Sequence, residues 1–304
     1  MIPIEVTILG SNSAIPAHGR HPTSQWIHMD GFHVLMDCGE GTQMRIQDSE
    51  YRPLQLDAIC ISHLHGDHVF GLPGLMTTMA LQGREKMLNV YGPVGLHEFL
   101  NGIFKLSGSR FTYPWTVHES SPMANKLIME NDKVAIQAFP LTHRIQTNGY
   151  LFVLKERPKK LDGELLDRNE VPFEGRAILK MGKDYVDPSG KTYHHEHYTS
   201  PGDPMRTYAF CSDTRFSEDL KEFIFNPTGL YHEATYTHDM ADQAHERYHS
   251  TAKEAGMMAR MVGAQKLLLG HASSRYKDLS LLEYEARKEF PYAEYVEEGK
   301  KYLI

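Results

Sequence analysis

The chain has 304 residues, 41% of them hydrophobic, and carries 32 Lys and Arg against 39 Asp and Glu, for a net charge of −7. That length supports a sizeable buried core, and the acidic balance counts mildly against a polyanionic partner without excluding a local basic patch. No stretch approaches the ~20 apolar residues of a membrane helix, Met1-Ile2-Pro3-Ile4-Glu5 lacks the form of a secretory signal, and the three cysteines, Cys38, Cys60 and Cys211, read as small buried hydrophobes in a reducing compartment.

Taken in chain order, Ile4–Gly10 alternates and ends in a Gly-Ser-Asn turn, the pattern of a strand. Ser24–Met29 and Phe32–Met36 flank Asp30-Gly31, which predicts a hairpin. Gly41–Asp48 reads as a short helix, Asp57–Ser62 as a buried strand, and Val69–Leu81 as one helix with Pro73-Gly74 near its start. Asn89–Pro93 is a short strand and turn. In Gly95–Leu106, Leu96, Phe99, Leu100 and Ile103 share one helical stripe, most simply a core face. Lys133–Phe139 and Tyr150–Leu154 are strands.

Residues 155–205 are polar, rich in Lys, Asp, Gly and Pro, and short of apolar runs, the composition of a functional extension or mobile loop. Strands resume at Tyr208–Cys211, Gly229–His232 and Lys266–Leu269. Helical spacing covers Leu220–Phe225, Thr251–Val262 (capped by Ser250 or Thr251) and Leu281–Phe290, before a final strand at Tyr292–Val296. This mixture predicts a layered α/β sandwich with a site along one sheet edge.

The densest chemical signal is His63-Leu64-His65-Gly66-Asp67-His68, directly after the buried run Asp57–Ser62. A strand end can aim several side chains at one point, and imidazole with carboxylate suits zinc and its transition-series neighbours. His143, Asp213 and His271 also follow apolar strands. Any one of these alone reads first as a loop histidine or a capping aspartate. Together with the cluster they make seven ligands, the count for two metals sharing a bridging carboxylate and a bridging hydroxide. On that division His63, His65 and His143 hold one metal, Asp67, His68 and His271 the other, and Asp213 bridges. Such a pair generates hydroxide at neutral pH and suits phosphodiester hydrolysis. A thiolate role for Cys38 or Cys211, close to acidic residues in neighbouring loops, is a minor alternative.

The His-x-His-x-Asp-His string resembles the signature of the metallo-β-lactamase fold, and Ser62–Leu75 as a whole looks like its ribonuclease Z branch, the tRNA 3′-processing endonucleases. Asp37-Cys38-Gly39-Glu40-Gly41-Thr42-Gln43, Pro140-Leu141-Thr142-His143, Ser212-Asp213-Thr214 and Leu269–Tyr276 resemble other motifs of that family. His232-Glu233-Ala234-Thr235 and His249-Ser250-Thr251 match two short strings typical of it, and the resemblance covers nearly the whole chain.

The resemblance implies an αβ/βα four-layer sandwich, a single domain over residues 1–304, with an inserted protruding arm at 155–205. It implies two Zn2+ per subunit, with Mn2+ or another divalent metal as a substitute. It further implies removal of the 3′ trailer from precursor tRNA by metal-hydroxide attack at the phosphodiester 3′ of the discriminator nucleotide. Asp67 would orient or deprotonate the water, and a Glu233–His249 pair would protonate the leaving 3′-oxygen. A carboxylate raises the pKa of a neighbouring imidazole, which makes the pair sensible as an acid near pH 7. The family further implies a cytoplasmic homodimer, with no membrane partner, in which one subunit's arm grips tRNA for the other's active site.

The arm's Lys and Arg residues, Arg176, Lys180 and Lys183 among them, suit phosphate contacts, although interspersed Asp and Glu also fit a solvated charged loop. Where family arms carry a Gly-Pro-rich tip, this chain has Val171-Pro172-Phe173-Glu174-Gly175-Arg176. His194-His195-Glu196-His197 reads as an exposed loop rather than a further metal site. Ser109-Arg110-Phe111 and Tyr113-Pro114-Trp115 are candidates for the substrate entrance, and Arg275 for a phosphate contact or a carboxylate pair. Two other function classes compete: a small-molecule phosphodiesterase or related hydrolase on the same binuclear scaffold, and a non-catalytic RNA-binding relict. The second requires lost ligands, and all seven candidates are present.

Overall fold

In a computed structural model that describes residues 1–304, two seven-stranded sheets stack face to face. The first runs in the order Lys301–Leu303, Ile4–Gly10, Ser24–Met29, Phe32–Met36, Ala58–Cys60, Leu88–Gly92, Trp115–Glu119. The second runs Ala293–Tyr295, Leu267–Gly270, Gly229–Glu233, Arg206–Cys211, Thr147–Leu154, Val134–Leu141, Lys126–Glu130. Period-two alternation explains the layering. Ile4, Val6, Ile8, Val34 and Met36 meet Val134, Ile136, Phe152, Tyr208 and Phe210 in the core between the sheets. Leu9 and Leu35 turn the other way, under the helices Leu72–Leu81 and Leu96–Ser107. Leu230, Leu267 and Leu269 likewise face the helices Ala252–Val262 and Ser280–Glu289. The result is the four-layer αβ/βα sandwich.

Local chemistry sets the boundaries. The Ser24–Met36 hairpin closes through Asp30 and Gly31, both at positive φ, as a two-residue turn requires. Thr251 caps the helix Ala252–Val262 and exchanges hydrogen bonds with Glu254, a capping box. The helix expected over Val69–Leu81 is instead two, Gly66–Val69 and Leu72–Leu81. The break serves packing: Gly71 donates to the Cys38 carbonyl at 2.9 Å, and a Cβ there would lie 2.1 Å from the Gly39 oxygen. Leu220–Phe225, expected as helix, gives only the 3-10 turn Glu218–Glu222.

Three strands of the large sheets escaped the sequence reading: Trp115–Glu119, Lys126–Glu130 and Lys301–Leu303. Each lies at a sheet edge; the first two are largely half-buried or exposed and the third has only three residues, so no clean alternation marks them. Tyr113 is buried, donating its hydroxyl to the Met76 carbonyl, and Phe111 and Trp115 pack on Phe104. That stretch belongs to the outer core and does not border the cleft described below.

Residues 155–205 connect two adjacent antiparallel strands, with Leu154 opposite Arg206. Of the two expectations, a functional extension or a mobile loop, the segment is a folded extension. It holds three short helices, Gly163–Arg168, Phe173–Lys180 and His195–Tyr198, and two small antiparallel pairs. Leu166, Val171, Leu179 and Tyr193 form a core of its own. His195–His197 thus sit in a single helical turn, and His194 Nδ1 lies 2.8 Å from Asp184 Oδ2.

Candidate metal centre

The candidate metal ligands follow strands, at one edge of the sandwich. His63 comes after Ala58–Cys60, His143 after Val134–Leu141, Asp213 after Arg206–Cys211 and His271 after Leu267–Gly270, while Glu233 ends Gly229–Glu233. Asp213 and His271 adopt positive φ, 53° and 63°. Non-glycine residues in that region cost roughly 1–3 kcal/mol each and persist where the surroundings over-determine them.

The seven candidates converge in two groups joined by one carboxylate. His63, His65, His143 and Asp213 form one, and Asp67, His68 and His271 the other; an overlapping set brings His249 to Asp213 and His271. Asp213 Oδ1 lies 3.1 Å from Nε2 of both His68 and His271. Its Oδ2 lies 3.7 Å from His63 Nε2 and 3.8 Å from His143 Nε2. Asp67 Oδ2 stands 3.4 Å from His68 Nε2 and 3.6 Å from His271 Nε2.

The far sides of the rings are held. His68 Nδ1 meets Asp37 Oδ2 at 2.7 Å, His63 Nδ1 meets Ser62 Oγ at 3.0 Å, and His271 Nδ1 meets Thr235 Oγ1 at 3.0 Å. His143 Nδ1 meets the Tyr248 carbonyl at 3.1 Å, so that ring's N–H sits on Nδ1 and Nε2 is left to face inward. Such partners fix tautomer and ring orientation at a metal centre.

The inward atoms fit a cation. Nε2 of His68 and of His271 are buried and face the Asp213 and Asp67 carboxylates without well-aligned hydrogen bonds, a costly state that a shared cation would relieve. Burial disfavours a charged His68, but Asp213, Asp67 and Asp37 outweigh it and hold its pKa well above the ordinary value. Burial and the neighbouring charge on His68 push His63 well below it. Burial would raise Asp67 and Asp213; the surrounding histidines hold both well below the usual carboxylate range. Without a metal the carboxylates draw a proton onto His68, where a divalent cation would fit. The cluster suits a divalent metal. Cys38 and Cys211 are buried and outside both groups.

Beside the metal groups, His249 Nδ1 lies 2.9 Å from Glu233 Oε1. Thr214 donates its N–H to the same oxygen at 2.7 Å, and the Thr235 hydroxyl donates to Oε2. Burial lowers His249, but the Glu233 carboxylate more than compensates and pushes it up to about 9. Glu233 is fully buried and His249 lines a cleft of about 820 Å³ together with Asp67, Arg144, Arg247 and Arg275.

Sequence reasoning missed Asp37 as a ring-holding residue, although it follows the strand Phe32–Met36 as the ligands follow theirs. It also missed Arg144 and Arg247, which no motif marks. Arg275 stacks on Tyr236 at 5.1 Å and is not paired with a carboxylate.

Comparisons with known proteins agree with this geometry. A ribonuclease Z of Porphyromonas gingivalis is 40% identical over 290 residues, 95% of each chain. One from Parabacteroides distasonis is 35% identical over 304 residues, the full length of both. The chain belongs to the ribonuclease Z family. The family model described as anti-Pycsar protein Apyc1 matches residues 4–157. That half carries His63–His68 and His143 but ends before Asp213, Glu233, His249 and His271, which the ribonuclease Z relatives span. Among solved structures, the short form of human tRNase Z superposes with a TM-score of 0.72 at 26% identity over 98% of each chain. The metallo-β-lactamase-fold protein YhfI of Bacillus subtilis reaches 0.71 at 17% identity, a likeness of fold alone.

Proposed function

We propose that the protein is a metal-dependent endoribonuclease that removes the 3′ trailer of precursor tRNA, cutting the phosphodiester 3′ of the discriminator nucleotide. The observation that carries this reading is the Glu233–His249 pair placed beside a carboxylate, Asp213, whose two oxygens face different ligand groups.

His63, His65, His143 and Asp213 Oδ2 would hold one ion, and Asp67, His68, His271 and Asp213 Oδ1 the other. Two zinc ions suit this imidazole–carboxylate set, which also accepts Mn2+. Bound there, they supply a water activated at neutral pH and neutralise charge on the phosphoryl oxygens. Asp67 accepts the Ala14 N–H at 2.8 Å; with its pKa held low it orients the attacking water rather than keeping a proton. His249, held protonated by Glu233, donates a proton to the departing 3′-oxygen. Arg144, Arg247 and Arg275 line the cleft where flanking phosphates lie.

Residues 155–205 serve as the tRNA-binding arm of this single-domain chain. Lys159 and Lys180 border a cleft of about 980 Å³ at its base, and Lys180 and Lys183 are exposed. Arg176 is occupied by Asp167 and the Val171 carbonyl, so its work is to hold the arm's own turn. A homodimer, in which one arm presents tRNA to the partner's cleft, and a cytoplasmic site of action complete the reading. No helix is long and apolar enough to cross a membrane.

The test is to incubate the purified protein with a precursor tRNA bearing a 3′ trailer and map the cut. Cleavage at the discriminator that disappears in Asp67→Ala is the expected result. No cleavage, with rapid turnover of a simple phosphodiester, would transfer the site to the small-molecule hydrolases.

A further inference from the structure

Tyr248 stands between the two halves of the chemistry. Its carbonyl accepts the Nδ1–H of His143, and the next residue is His249. It does this from φ 61°, in the left-handed region that bulky side chains rarely occupy. The backbone alone would not choose that turn.

Arg215 is what grips it. Its guanidinium lies 4.6 Å from the centre of the Tyr248 ring. Its Nε donates to the His245 carbonyl at 3.1 Å, and Nη2 donates to the same oxygen. The Arg215 N–H donates to the Thr142 carbonyl at 2.9 Å. Ser250 adds a further tie, donating its hydroxyl to the Thr214 carbonyl at 2.7 Å. Arg215 therefore ties the three segments together: its backbone joins the Asp213 segment to Thr142, next to His143, and its side chain holds the turn that carries Tyr248 and His249.

We propose that Arg215, acting through the left-handed turn at Tyr248, is a positioning residue that sets His143 in the metal centre and His249 in the cleft as one unit. The flat guanidinium both covers the ring and forks onto a carbonyl, which an ammonium cannot do. The arm of the proposal that concerns His249 rests on the proton-donor reading above; the arm that concerns His143 does not.

The test compares wild type with Arg215→Met, Arg215→Lys, Tyr248→Leu and the Arg215→Met/Tyr248→Leu double variant. Retained metal is measured after timed exposure to a competing chelator, and kcat and KM on precursor tRNA are measured in parallel. Second-layer partners of metal-bound histidine typically carry roughly ten- to a hundredfold in affinity or activity. Arg215→Met should lose metal faster and drop kcat within that range while KM stays within about twofold. Arg215→Lys should not recover it. The double variant should lose no more than the worse single one, because both changes break one contact.

A folded Arg215→Met protein that keeps metal as tightly as wild type overturns the proposal, as does a loss of thermal stability with metal retention and kcat unchanged. If His249→Ala leaves kcat on precursor tRNA intact, the proton-donor reading fails instead, and metal retention still decides for or against Arg215.

Discussion

Asp37 shows how much of the centre lies one layer behind the ligands. Its Oδ2 meets His68 Nδ1 and the Ser62 hydroxyl, and its Oδ1 takes the Ser62 N–H at 2.7 Å. Asp37→Ala should weaken metal binding or activity roughly ten- to a hundredfold, read by titration against a chelating dye. The pH dependence turns on His249. Glu233 raises its pKa from 6.5 to about 9, so the proton is kept to higher pH and lost as pH rises through that value; divalent cations nearby act in the opposite direction. Glu233→Gln removes the raising carboxylate. The alkaline limb of the kcat profile should then move to lower pH, whereas a limb that stays in place would assign it to another group. By linkage, the raised His249 stabilises the fold below its unfolded value and ceases to as pH passes about 9. Asp67 and Asp213, held low, give stability that is lost as pH falls through their folded values.

At the scale of elements, the arm is a small folded unit, which makes it testable apart from the body. Leu179 is fully buried in the arm's own core. Leu179→Ala should cost roughly 2–5 kcal/mol, more than such a small core can spare, and unfold the arm locally. Processing of precursor tRNA should fall sharply while hydrolysis of a small phosphodiester persists, and deletion of residues 159–191 should do the same. Equal loss of both activities would show that the segment supports the sandwich instead. Gly71 is the opposite case, a single position on which the body depends. The Cβ of Gly71→Ala would meet the Gly39 oxygen at 2.1 Å, and the strain would reach His68, whose carbonyl accepts the Cys38 N–H.

For the whole molecule, the net charge of −7 opposes a polyanionic substrate, so binding must be concentrated in local basic surface. KM for precursor tRNA should rise steeply with salt, because phosphate contacts release counterions; KM for a small diester should barely change. A bound metal would also add to the stability. Chelation leaves buried carboxylates and histidines facing one another, and any ligand bound only by the native state raises its stability by mass action. The Tm should fall on chelation and recover when a divalent metal such as Zn2+ is added.

The sequence by itself singled out the seven candidate ligands that the fold brings together, because metal chemistry needs particular side chains and a strand end announces itself by a buried run just before it. His63–His68, His143, Asp213 and His271 all obey that local rule. It also determined most strands, since period-two burial is written in the residues. Tertiary structure alone decided what no local pattern encodes. It gave Asp213's two oxygens to different groups, bent the Val69–Leu81 helix at Gly71 to seat it on Gly39, and gave 155–205 a core from four scattered residues. It also brought Arg215 onto Tyr248. Each of these depends on a contact between segments distant in sequence, and their energy exists only once the sandwich has closed.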